Sequence, residues 1–131
     1  MTTNVSIQSK KVQKFIKEQS STFSEEIFID LLQRYVEARL SGTLLFVKKK
    51  ERKTSSLYRI GYTNRSFYDF IVMFAALGFK VDSDSLCVVL PFSCNDTIKE
   101  ANRKVVMFLL NEGMITKEES RKLIELPFAA V

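Results

Sequence analysis

The sequence has no histidine and no tryptophan, and only two cysteines, two prolines and four glycines in 131 residues. Without histidine there is no Ser–His or Cys–His nucleophile pair and no imidazole base. Structural zinc takes about four Cys or His ligands, so no metal site is expected. Four glycines leave little material for a backbone cradle around phosphates, and no glycine-rich loop, paired-carboxylate motif or metal-loop spacing occurs. The chain is therefore expected to bind rather than catalyse, with no cofactor.

Long apolar runs are missing too. The longest, residues 70–77, holds eight residues and stops at Gly78, against the roughly 18–20 that a membrane span needs. The polar N-terminus does not read as a signal peptide. These features predict a soluble intracellular protein with no membrane partner. Cys87 and Cys94 then read as thiols rather than a disulfide framework. Cys87, inside an apolar run, reads as a small core residue. Cys94 precedes a predicted helix, but no neighbour completes a catalytic site around it.

The chain does have charge, unevenly spread. Residues 1–66 carry 13 Lys and Arg against 6 Asp and Glu, a balance of +7. Residues 67–131 carry 7 against 9, a balance of −2. The hydrophobic share is 46%, which suits one globular domain of this length. Residues 1–8 are polar and read as a loose terminus, leaving residues 9–131 as a single domain.

Periodicity predicts an α+β domain in the order α-α-β-β-α-β-α-α, with a small, mainly antiparallel sheet and a C-terminal helical hairpin. Residues 10–19 form a short helix with Val12, Phe15 and Ile16 on one side. Thr22 and Glu25 have capping-box spacing before an amphipathic helix that ends at Gly42. Residues 43–47 and 57–62 read as two strands, and the nine-residue connection between them is longer than usual, so the strands should extend into it. Asn64 is placed to cap a helix over 65–77 that is apolar nearly all round. Residues 81–85 read as the turn into a central strand, 86–90. Asn95 or Asp96 caps the next helix. Thr116 and Glu119 form a second capping box, and Pro127 stops the last helix. The apolar tail from Leu126 is expected to dock on its own domain.

The basic segment Lys48-Lys49-Lys50-Glu51-Arg52-Lys53 holds five cations within six residues. On a hairpin tip these are mobile point charges for phosphates, and each contact releases condensed counterions. Arg59 and Arg65 would extend the stripe, and Tyr58 and Tyr62 would offer rings for base stacking. Lys10, Lys14 and Lys17 share one face of the first helix by i, i+4, i+7 spacing and would lengthen the track. The alternative is that the lysines solvate a loop and guard an edge strand while the tyrosines pack inward. From this pattern the expected partner is nucleic acid, RNA ahead of DNA. A second expectation is a protein-interaction module or homodimer, using Met107 and Phe108 on the helical hairpin and Phe128 on the tail.

Part of the chain resembles a PUB domain, the module of cytoplasmic peptide:N-glycanase and related adaptors. The similar points are Leu31-Leu32 with Tyr35, Tyr58-Arg59-Ile60, Asn64-Arg65-Ser66-Phe67, Leu77-Gly78-Phe79 and the apolar run ending at Pro91. The resemblance implies an adaptor that binds a peptide tail near Asn64 and Phe67. The sequence departs from that family at residues 67–79, too short for the helices expected there, and at the basic insert 48–56.

Overall fold

Ser9 opens the first helix. Its hydroxyl accepts from the Val12 amide at 3.4 Å, and α1 runs over Lys10–Glu18 with Val12 and Ile16 buried. The chain is described here in a computed structural model, in which residues 6–19, 23–51, 53–61, 67–82, 84–85, 87–90 and 95–130 are placed. Ser24 caps α2, Glu25–Ser41, by accepting from the Ile27 amide. The cap is thus Ser24 rather than Thr22, which lies outside the described residues. Glu25 falls at the first position of the helix, where a carboxylate favours the positive end of the helix dipole. Gly42, at φ 73°, ends α2 in the left-handed conformation that glycine adopts without strain.

The strands extend into the hairpin connection, as expected. β1 covers Leu45–Glu51 and β2 covers Ser56–Gly61. They pair antiparallel, with a register shift between Lys48, opposite Tyr58, and Lys50, opposite Leu57. Lys49 is therefore an extra residue, a bulge of the kind that twists a strand edge.

The apolar helix α3 spans Phe67–Ala76; its expected cap, Asn64, lies outside the described residues. Two short strands were not anticipated. Residues 80–82, part of them read as a turn, form β3, Lys80–Asp82, paired antiparallel with β4, Cys87–Leu90. Three residues ending in Asp carry almost no strand signal, and the pairing itself supplies what the sequence does not. The tail forms β5, Ala129–Ala130, parallel to Leu45 and Phe46 of β1. The tail thus docks on its own domain. The sheet order is β3-β4-β2-β1-β5, antiparallel except at that last pair.

α4, Asn95–Asn111, and α5, Lys117–Glu125, form the helical hairpin. Thr116 and Glu119 make the capping box reciprocally, at 2.9 and 3.1 Å. Leu126 is extended, ψ 136°, as the residue before a proline must be.

Alternation puts Tyr58, Ile60, Val88 and Leu90 on the sheet face that joins the helical core. α3 packs on β2, β3 and β4, and α4 reaches β4. Two runs of edge-to-face rings tie the layers together. Phe15, Phe23, Phe28 and Phe108 form one, and Tyr35, Phe74 and Phe79 the other, with centroids 5.2 to 6.3 Å apart. The fold is α+β, in the expected order with the two short strands added.

Candidate functional site

The hairpin turn sets the position of the candidate site. Because Ser56 pairs with Leu90, the turn at Lys53, Thr54 and Ser55 lies over the end of β4. It faces the start of β3 and the N-terminal half of α4 across a cleft of about 490 Å³. Thr54 and Ser55 line one side and Lys80 another. Phe79, Val89, Leu90 and Ala101 supply apolar surface, and Glu100 and Lys104 come from α4. The Lys104 ammonium stands 4.8 Å from the centre of the Phe79 ring, a cation–π contact that holds it over the cleft.

Lys53, Lys80 and Lys104 are all exposed. They come from three separate elements, and among the described residues none of them forms an ion pair. Lys80 and Lys104 thus bring positive charge to the cleft, with Lys53 next to it in the turn, and Glu100 is the one carboxylate among its lining residues. Lys80 and Lys104 belong to the half of the chain whose net charge is negative, so the charge balance pointed away from them. Only the fold brings them to the hairpin turn.

The predicted residues divide into groups. Lys49 and Lys53 are exposed on the hairpin. Lys48 and Lys50 stand on β1 at the register positions given above. Arg52, Arg65 and Tyr62 lie outside the described residues. Arg59 is half-buried on the sheet face opposite the helical core, beside Leu57. Tyr58 is 4% exposed, so its ring packs in the core and offers no face to a base. This corrects the stacking role expected for it. Strand alternation decides the matter: Tyr58 shares with Ile60 the face that joins the helical core.

Lys10, Lys14 and Lys17 are exposed along α1, with Val12 and Ile16 turned inward. α1 sits at the other end of α4. The Gln8 amide donates to the Glu112 carboxylate just beyond α4, and Phe15 leads through Phe23 and Phe28 to Phe108. From Glu100 to Asn111 is about 16 Å along the helix axis. The structure therefore separates the two basic groups, with Lys104 at the cleft and Arg103 exposed beside it on the same helix.

The residues expected to meet a protein partner are mostly engaged internally. Phe108 stacks edge-to-face on Phe28, centroids 6.0 Å apart. Phe128 lies under the Arg39 guanidinium, 4.0 Å from its carbon. Met107 alone of the three is exposed, at 39%.

Arg39 belongs to a buried polar cluster that sequence reading missed. The Tyr35 hydroxyl and Arg39 Nε both donate to Asn102 Oδ1, at 2.7 and 3.0 Å. Arg39 Nη1 donates to the Pro127 carbonyl and Nη2 to those of Leu123 and Leu126, all within 3.1 Å. Asn102 Nδ2 donates to the Leu123 carbonyl. The cation thus caps the C-terminal end of α5, where orphan carbonyls and the helix dipole favour positive charge. Burial pushes the Tyr35 phenol well above its ordinary range, although the nearby guanidinium pulls the other way. Burial likewise lowers Arg39, with Tyr35 opposing. Helical spacing carried the signal: Arg39 follows Tyr35 by four, and Asn102 follows Ile98 by four, on apolar faces.

Among the described residues, no group of three or more Cys, Asp or Glu side chains is arranged to hold a metal ion. No described helix is long and apolar enough to cross a membrane. No protein-family model, curated protein or solved structure matches the chain. The PUB-domain resemblance accordingly rests on its own residues, of which Asn64 lies outside the described ones.

Proposed function

We propose that this protein is a non-enzymatic nucleic-acid-binding domain, RNA ahead of DNA, that meets phosphates with the hairpin turn and the adjoining side of α4. The observation that carries this reading is that Lys80 and Lys104, exposed and without an ion-pair partner among the described residues, line one cleft, with the exposed Lys53 next to its lining residue Thr54 in the hairpin turn. Lys49 on the hairpin and Lys10, Lys14 and Lys17 on α1 add outlying contacts for a longer strand. With Tyr58 buried, affinity rests on phosphate contacts, so it depends on salt more than on sequence.

A protein-interaction surface is the alternative. It is favoured less because Phe108 and Phe128 are occupied within the domain.

The test is fluorescence anisotropy of a labelled single-stranded RNA, titrated with protein at several salt concentrations. Binding that weakens at least tenfold between about 50 and 200 mM salt supports the reading. Absence of binding, or affinity indifferent to salt, removes it.

A further inference from the structure

The cleft beside the hairpin turn has a shape and chemistry that bare phosphate binding does not use. Its volume of about 490 Å³ lies in the range of pockets that enclose small ligands. Cations alone would bind phosphates equally well on a flat surface. Here they border an apolar hollow made by Phe79 and Val89, with one carboxylate, Glu100, at the wall. That is a polar rim for an anion, an apolar floor for a ring, and a carboxylate for a hydrogen-bond donor on the ring's edge.

Resting on the nucleic-acid reading, we infer that the cleft seats one unstacked nucleotide of a single strand. Its phosphate lies between Lys80 and Lys104, and its base lies on the apolar floor with an exocyclic amino group donating to Glu100. Lys104 already covers the near face of Phe79, so the base meets the floor by apolar contact rather than by stacking on that ring. A duplex keeps its bases stacked and paired, and it cannot deliver one to a hollow without unpairing it. The site therefore distinguishes single strands from duplexes. It also favours bases with an amino group over uracil, whose single donor on that edge, N3–H, is flanked by two carbonyl oxygens that repel a carboxylate.

The test is two-dimensional amide NMR of the full chain, titrated separately with adenosine 5′-monophosphate, uridine 5′-monophosphate, inorganic phosphate, single-stranded RNA and duplex RNA. The expected result is saturable movement of the Thr54, Ser55, Phe79, Lys80 and Val89 amides with the adenylate and the single strand. Inorganic phosphate should bind more weakly. The adenylate should bind roughly three- to tenfold tighter than the uridylate, the value of one hydrogen bond. Glu100→Gln should reduce that preference, and Lys80→Glu with Lys104→Glu should abolish the cleft shifts while the rest of the spectrum stays native.

Cleft amides that ignore the adenylate, or respond to it no more than to phosphate, overturn the inference. If the single strand still binds in a salt-dependent way and moves only Lys49 and α1 amides, the nucleic-acid reading survives and the cleft assignment falls. If the adenylate fills the cleft but no strand binds, both fall, and a free nucleotide is the ligand.

Discussion

Arg39 and Lys104 each hold a cation over a phenylalanine ring, Phe128 and Phe79 respectively. Their surroundings otherwise differ. The Arg39 side chain is 4% exposed and spends its donors on Asn102 and three backbone carbonyls. Lys104 is exposed, and among the described residues it has no carboxylate partner. A buried cation must have its hydrogen bonds met within the fold, because the desolvation cost is otherwise prohibitive. An exposed one loses little by waiting in water. The same kind of contact thus marks a structural joint at one end of the helix pair and an exposed surface beside the hairpin turn. Of the two, only the surface cation is free to meet a ligand.

Substitutions at the two places should therefore separate stability from binding. Arg39→Ala is expected to have the largest effect on folding. It strips the C-terminal cap from α5, leaves Asn102 Oδ1 with one donor and opens a cavity beside Phe128. A loss of about 3 kcal/mol in urea unfolding is expected, with RNA affinity of the remaining folded fraction unchanged. Arg39→Lys should recover little, since an ammonium cannot reproduce the planar fork.

Phe108→Asp comes next, at roughly 2–3 kcal/mol, because it breaks the ring contact with Phe28 and puts a carboxylate against the core. Light scattering should give the same mass before and after the change. A dimer that dissociates on this substitution without loss of monomer stability would instead restore Phe108 as a partner contact.

Tyr35 sharpens the comparison through pH. Its folded-state pKa is raised, so the neutral phenol is the form the folded protein favours. Stability from this group is complete below the ordinary tyrosine pKa of about 10 and declines as pH rises above it. Tyr35→Phe should flatten the fall of the unfolding midpoint over that interval, relative to the parent chain. The smallest effect is expected at Ser56, whose hydroxyl is fully buried with no hydrogen-bond partner among the described residues. Ser56→Ala should be neutral or stabilising by up to about 1 kcal/mol.

How far these regions were legible in the sequence follows from the range of the signals. Caps and helical spacing are local, and they located α1, α2, α4 and α5 to within a few residues. Gly42 and the Thr116–Glu119 box behaved as their chemistry requires. β3 and β5 are three and two residues long and exist through pairing with distant strands, so no local pattern announces them. The candidate site was half legible. A run of lysines marks the hairpin in the sequence, but Lys80 and Lys104 are single cations in ordinary surroundings. The antiparallel register of β2, β3 and β4 carries Lys80 to the turn, and the packing of α4 on β4 brings Lys104. Tyr58 was ambiguous for the opposite reason. Strand alternation separates two faces, and which one is covered depends on helices elsewhere in the chain.

The most direct test of the central claim is the salt dependence of single-stranded RNA binding by the parent chain and by Lys53→Ala, Lys80→Ala and Lys104→Ala, singly and together. If these three side chains meet phosphates, each removal lowers the slope of log affinity against log salt by about 0.7. The triple variant should lose roughly 2 units of slope while its unfolding midpoint stays within about 0.5 kcal/mol of the parent. A triple variant that binds RNA with the parent's affinity and slope would contradict the account.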